Sequence, residues 1–401
     1  MDERSIALPG TIIWVAPFYN RSGYGIGART MVSVMHRAGA RIRIMSVNEV
    51  ESGIDDCDLD LIRSMEKTAV IPPITTIITH VPSRSWLELK FPEPTVRIMD
   101  TTFDSSLQGN TPPADWMAVC HAMDQVWVMT EKERNAFMAA GLPPEKIQYV
   151  HWPHHWLDNP LLPPPSPDTW DQNKPFRFLS IAMFQPRRRW DTLLEAYFEE
   201  FKDCDNVELY LKVNYPPWHP VPGKPRRDLH DMARSLRQKT ASRAALVIEE
   251  ELGARMDILK LFDSCNVYVS TDTAETATIS EARVRHRMVI LPEGLGVGMP
   301  PDMFIKVDPD ATAPLTPDML QYQPHHKDTL MPQLGVEDVR RALRAAYEMP
   351  PEQRLANGVH SASLVPTACD VVSEATNAIR AAWQAKCEND ENAKQLIAQT
   401  L

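Results

Sequence analysis

Three stretches hold the residue types best suited to chemistry. The first, PFYNRSGYGIGAR (17–29), sets Gly23, Gly25 and Gly27 between an apolar run and an amphipathic one. Glycine there lets a ligand approach the backbone, and the helix start that follows favours an anion. A plain tight turn is the alternative. The spacing is not the dinucleotide fingerprint, and no acidic residue closes the second apolar run, so a nicotinamide enzyme is not expected. The second stretch, AMFQPRRRWD (182–191), carries Arg187, Arg188 and Arg189. Guanidinium groups at a strand–helix junction can take a diphosphate through bidentate hydrogen bonds, or they form a solvated charge run. Lys212, near the end of the next apolar run, sits at the same sheet edge and favours the anion site. The third stretch, STDTAETATISEA (270–282), places Glu275 and Glu281 around a Thr-rich turn. Thr278 or Ser280 suits the N-cap of the following helix. The carboxylates could accept hydrogen bonds from sugar hydroxyls, or could only compensate the helix dipole.

The histidines divide similarly. His80 closes an apolar run after Thr79 and is the histidine expected to be functional, with a structurally satisfied imidazole as the alternative. HWPHHW (151–156) has the look of a metal cluster, but its prolines and tryptophans point to packing, and no metal site is expected. His325 and His326 fall in a Pro-rich loop and are expected to be exposed.

The elements that must position these loops alternate. Apolar runs at 11–16, 41–47, 74–80, 95–99 and 125–129 read as strands separated by helical stretches near 27–38 and 131–140. The alternation stops in a Pro-rich segment, 161–175, read as a semi-rigid linker. It restarts with strands at 176–181, 207–213, 245–248, 267–270 and 288–291. Helices are expected at 191–201, 256–262 and near 281–285, followed by two C-terminal ones at about 336–347 and 367–386. Strands alternating with helices imply two doubly wound parallel sheets, whose ligands bind at the carboxyl ends of the strands. The domains are therefore expected over 1–160 and 176–375, with 376–401 packing back on the first.

Composition narrows the class. The chain has 401 residues, 53 acidic against 42 basic, and a net charge of −11. That balance argues against bulk capture of nucleic acid or anionic membrane. Gly is scarce at 15 residues and Pro abundant at 35, so turn chemistry here relies little on glycine. No apolar run approaches the length of a membrane span, and the first residues lack the pattern of a secretory leader. Six cysteines without paired spacing suggest reduced thiols in a cytoplasmic protein.

Taken together, the pattern resembles the retaining glycosyltransferases of family 4, which have the GT-B fold of two facing Rossmann-like domains. The resemblance covers nearly the whole chain. It rests on Phe103-Asp104, Trp116-Met117, MDQVWV (123–128), Glu131, Phe137 and AGLPPEKI (140–147). It rests also on SGYG (22–25), FLS (178–180), PRR (186–188), WDTLLEAY (190–197), VYVS (267–270) and Glu275…Glu281-Ala282. The resemblance implies a nucleotide sugar, UDP- or GDP-linked, as co-substrate and no metal. Gly23, Tyr24 and Gly25 would approach the donor phosphates or sugar, and Arg187 and Arg188 would meet the leaving diphosphate. Lys212, Ile279 and Ser280 would join the donor site, while Glu281 would hold the nucleotide ribose. Glu275 would contact the sugar, and His80 with the loop of Phe103 and Asp104 would face the acceptor, a glycan, a small molecule or a modified macromolecule. Three departures stand out. Ala182-Met183 replaces the family's Gly-Arg, and only five residues separate Glu275 from Glu281 where the family keeps seven. Either the first glutamate is displaced, or its role passes to Thr273 or Asp272. Arg283, Arg285, His286 and Arg287 follow Glu281 where small residues are usual. Two other readings remain open: a degenerate GT-B module that binds a glycan or partner without turnover, and a transferase acting on modified nucleic acid along Arg283–Arg287.

Overall fold

The computed structural model describes residues 8, 10–20, 22–47, 59–70, 75–80, 94–101, 111–153, 174–185, 188–215, 228–250, 255–272, 277–293, 295, 304–305, 307–314 and 330–400. The chain forms two units: 1–105 with 111–158 and 366–401, and 106–110 with 159–365.

The first unit is built on a parallel sheet of β1 (Thr11–Ala16), β2 (Ile42–Ser46), β3 (Thr75–His80), β4 (Thr95–Asp100), β5 (Gln125–Val128) and β6 (Ile147–Tyr149). The order is β2-β1-β3-β4-β5-β6. TIIWVA and TTIITH are buried along their whole length, as expected of central parallel strands covered on both faces. The helix Gly23–Arg37 lays Ala28, Met31, Val32 and Met35 on this sheet, in one cluster with Ile12 and Trp14.

The second unit repeats the plan with β7 (Phe176–Met183), β8 (Val207–Asn214), β9 (Ala245–Glu249), β10 (Val267–Val269), β11 (Met288–Pro292) and β12 (Phe304–Ile305). Its strands are also parallel, in the order β12-β11-β10-β7-β8-β9. A separate antiparallel pair joins β13 (Val307–Pro314) to β14 (Leu330–Leu334). The two doubly wound parallel sheets expected from the alternation are therefore present.

Several boundaries differ from the sequence reading, each for a local reason. The first helix begins at Gly23 instead of Gly27, because Ser22 caps it by accepting from the Gly25 N–H at 3.2 Å. Gly23 and Gly25 thus occupy the first turn of the helix and Gly27 the second. The helix expected near 281–285 spans Ala277–Val284. Beyond residue 335 there are four helices where two were expected: Val336–Glu348, Pro351–Ser363, Ala368–Asn389 and Glu391–Thr400. Pro351, at the first position of the second of these, starts a new helix where it could not continue the old one. The helix Leu229–Thr240, capped by Asp228, and the pair β13–β14 had no counterpart in the expected elements. Of the expected linker 161–175, only Lys174 and Pro175 belong to the described residues.

The helix Ala368–Asn389 returns the chain to the first unit. Thr367 and Asp370 form a capping box at its start. Val371, Ala375, Ala378, Ile379, Ala382 and Trp383 face the core, and the Trp383 indole N–H donates to Thr76 Oγ1 at 2.9 Å. The same helix holds the segment after β6. Glu374 accepts the His151 backbone N–H at 3.0 Å and lies 3.0–3.1 Å from its Nδ1. Burial alone would raise the Glu374 carboxyl, but the hydrogen bonds and charge of His151 outweigh it and hold the group below its ordinary 4.5. A depressed carboxyl stabilises the fold above its unfolded value and loses that contribution as pH falls through the folded one. Glu374→Gln should therefore lower the urea midpoint at neutral pH, and the difference from wild type should shrink below about pH 4.5, the ordinary value. A gap unchanged from pH 7 to pH 3 contradicts this. Truncating Trp383 to Ala should cost about 3–5 kcal/mol in the same unfolding assay.

Candidate functional site

In an open parallel sheet, ligands settle beyond the carboxyl ends of the strands where the order reverses. In the second unit that place lies between β7 and β10, which are hydrogen-bonded neighbours. Arg188 follows β7 and Asp272 follows β10, and the two form an ion pair across the reversal, 14% and 3% exposed. Thr271 tightens the junction by donating from Oγ1 to the Arg188 carbonyl at 2.7 Å. Arg189 takes a left-handed conformation, φ 54°, and its guanidinium turns to the Pro332 carbonyl at 3.1 Å. The helix Ala277–Val284 starts beside them and buries Ile279, Ser280 and Glu281.

Tyr268 on β10 ties these parts together. Its hydroxyl donates to the Ile181 carbonyl at 3.2 Å and shares a hydrogen bond with Thr278 Oγ1 at 2.9 Å. Burial pushes the phenol up to about 12, against the hydrogen bond of Thr278 and the charge of Arg188, while Glu281 pushes it further up. Both charges are thus close enough to act on one hydroxyl at the sheet edge. Lys212, one strand away on β8, is 7% exposed and held by Glu249 on β9 at 2.7 Å. Tyr210 also hydrogen-bonds Glu249. Burial would raise the Glu249 carboxyl, but the bonds from Lys212 and Tyr210 bring it below its ordinary value. Arg187 and Glu275 lie outside the described residues, as do Phe103 and Asp104.

The arginines after Glu281 serve the fold. Arg283 donates from Nε to Ser361 at 3.0–3.1 Å, and Arg285 makes two bonds to Asp263 at 2.6–2.9 Å. Arg287 caps the carbonyls of Arg285 and Cys265 at 3.0 and 3.1 Å. All three are buried, at 2–7% exposure. The suggested nucleic-acid track along 283–287 is thereby overturned, since a phosphate backbone cannot reach guanidinium groups enclosed in the core. A cavity of about 590 Å³ opens between the helix Leu229–Thr240 and the edge strand β9, with Arg234 and Arg237 among its walls. Asp231 pairs Arg234; Arg237 is held by the Ala244 carbonyl at 2.7 Å and lies over the Phe198 ring.

In the first unit the order reverses between β1 and β3. His80 is the last residue of β3 and Asp100 the last of β4, directly opposite in register. The His80 Nδ1 lies 2.9 Å from Asp100 Oδ2, both side chains buried. The Trp152 indole N–H donates to the other carboxylate oxygen at 3.0 Å. Tyr24 sets its ring edge against both His80 and Trp152, at centroid distances of 5.3 and 5.9 Å. His80 Nε2 is buried and has no hydrogen-bond partner among the described residues. With Nδ1–H donating to the carboxylate, neutral His80 offers Nε2 as an acceptor.

The glycines differ in purpose. A Cβ on Gly25 would meet the Asn20 side chain and the Pro17 carbonyl, the latter at 2.8 Å, while a Cβ on Gly23 would meet nothing within 4 Å. Arg29, 3% exposed, fixes the preceding loop by donating to the carbonyls of Phe18 and Asn20 at 2.6 and 2.8 Å. Asp100, Trp152, Arg29 and Tyr268 escaped the sequence reading as partners of the site. The signal for Asp100 was present, since TTIITH and TVRIMD both end an apolar run on a polar residue.

The sequence matches no known protein family, and no curated protein matches it. Its structure is similar to solved ones over nearly its whole length. These include the Candida albicans trehalose-6-phosphate phosphatase N-terminal domain, at 10% identity over 94% of this chain and 97% of that one, TM-score 0.57. The Burkholderia xenovorans α,α-trehalose-phosphate synthase (UDP-forming), in complex with glucose-6-phosphate, matches at 11% identity over 93% and 99%, TM-score 0.55. Anabaena HepE, in complex with UDP and glucose, matches at 10% identity over 94% and 98%, TM-score 0.52. The fold is GT-B, two Rossmann-like domains in one chain.

The glycine contrast is measurable. Gly25→Ala should lower stability by about 1–3 kcal/mol in urea unfolding, as overpacking against backbone does. Gly23→Ala should stay within about 0.5 kcal/mol of wild type. Equal losses at the two positions contradict the assignment.

Proposed function

We propose that the chain is a glycosyltransferase moving a sugar from a nucleoside diphosphate sugar to an acceptor, with retention, and allied to family 4 within the GT-B enzymes. The observation that carries the reading is the meeting of Arg188, Glu281 and the Thr278–Tyr268 pair at the order reversal of the second sheet. The diphosphate lies against Arg188; Arg187, the preceding residue, shares that role, and Glu281 takes the ribose hydroxyls. Ile279 and Ser280 form the wall of that pocket, and Glu275 faces the sugar. As the bond between sugar and phosphate breaks, negative charge grows on the departing oxygen. Guanidinium groups fixed there stabilise the transition state more than the ground state, so the proposal calls for no metal. His80, locked by Asp100 with Nε2 as acceptor, takes a hydrogen bond from a hydroxyl of the substrates, beside Tyr24 and the open backbone of Gly23. Phe103 and Asp104 face the acceptor, a glycan, a small molecule or a modified macromolecule. The departing phosphate oxygen accepts the proton of the acceptor hydroxyl on the face it vacates, which gives retention without a carboxylate nucleophile.

A reducing compartment suits the five described cysteines, which form no disulfide among the described residues. Among the described residues no helix is long and apolar enough to cross a membrane. A module that binds without turnover is the reading favoured by the engagement of Lys212 in an ion pair with Glu249; release of free nucleoside diphosphate from a sugar donor excludes it.

UDP or GDP should raise the melting temperature of the wild-type protein, and Arg188→Ala should weaken that stabilisation at least about tenfold in apparent Kd. The absence of a shift with either nucleotide refutes the reading. Proton NMR of the first-formed product should show the anomeric configuration of the donor.

A further inference from the structure

The arginine best placed for the diphosphate is already occupied. Arg188 is ion-paired with Asp272, and both side chains are largely removed from water. Thr271 fixes the Arg188 backbone from the same strand end. Of the neighbouring cations, Arg189 keeps its charge but is turned to the Pro332 carbonyl, and Lys212 is paired with Glu249. Glu281 adds a second buried carboxylate, 2% exposed. Among the described residues, this sheet edge therefore offers an entering anion little net positive charge.

A buried ion pair resists separation unless the charge left behind is matched by a new partner. A diphosphate can take the guanidinium, accepting bidentate hydrogen bonds as a carboxylate does, but the charge left behind is Asp272, which it cannot match. Donor and Asp272 then compete for one side chain. We propose that Asp272 is a counter-charge that holds Arg188 in the empty site and reclaims it when the nucleoside diphosphate departs, lowering the affinity of the site for its own product. The inference rests on the nucleotide-sugar reading given above. Asp272 acts through Arg188 and is a positioning residue. The consequence has a sign that a purely structural role lacks: an aspartate that merely props up the arginine would, on removal, loosen nucleotide binding, whereas a competing counter-charge would tighten it.

Calorimetric titration of UDP and of GDP into the full chain separates these outcomes. Asp272→Asn and Asp272→Ser should each bind the nucleotide about tenfold more tightly than wild type, the scale of one unit charge removed from a part-buried site. Asp272→Glu, which keeps the charge, should stay near wild type. In an Arg188→Ala background the tightening should disappear, because the two residues form one coupled pair. Weaker or unchanged binding in the folded neutral variants overturns the inference. Equal tightening with and without Arg188 also overturns it, since Asp272 would then repel the diphosphate directly. A wild-type protein that binds neither nucleotide fails the nucleotide-sugar reading itself, a result distinct from both.

Discussion

Both six-stranded sheets of this protein are parallel, and that constraint governs what the rest of the chain can do. Parallel neighbours need a crossover between them, so every strand delivers its following loop to the same edge. Where the order reverses, two crossovers depart to opposite faces and leave a gap between adjacent loops. The first unit has this gap between β1 and β3, and His80 with the glycine helix start borders it. The second has it between β7 and β10, where Arg188 meets Asp272. The residues with chemical potential are thus gathered by topology from segments far apart in sequence.

Buried polar groups at these edges are organised in pairs whose geometry is set by strand register. His80 and Asp100 face each other because β3 and β4 pair in step to their last residues. Trp152 then occupies the second carboxylate oxygen and packs on the imidazole at a centroid distance of 4.6 Å. Such a network leaves the imidazole one orientation and one free nitrogen, an arrangement suited to a single hydrogen bond with a substrate hydroxyl. On the second sheet the pairs are ionic, and the electrostatic balance of the edge depends on which partner each guanidinium holds.

The fold was legible in the sequence because central parallel strands read as largely apolar runs, such as TIIWVA and MVILP, and their alternation with helices fixes the class. The positions of His80 at the end of β3 and of Arg188 just after β7 were legible for the same reason, whereas Glu281 lies inside a helix that starts earlier than expected. What their side chains touch was not. Arg283, Arg285 and Arg287 look like a solvated run, yet they are buried because the helix Ala277–Val284 packs against the helix Pro351–Ser363, which supplies Ser361 from far along the chain. The pairing of Lys212 with Glu249 and of Arg188 with Asp272 is likewise set by neighbouring strands and carries no local signature. The scarcity of glycine in the second unit has its counterpart here: side-chain pairs and a left-handed Arg189 shape the loop that glycine shapes in the first.

The central claim is that the second sheet's order reversal receives a nucleoside diphosphate. Hydrogen exchange measured by mass spectrometry with and without saturating UDP or GDP tests it most directly, because protection is read segment by segment. Slowed exchange across 181–191 and 268–284 is the predicted result. Protection confined to the helix 229–240 and strand β9, or the absence of any change in the second unit, would contradict it.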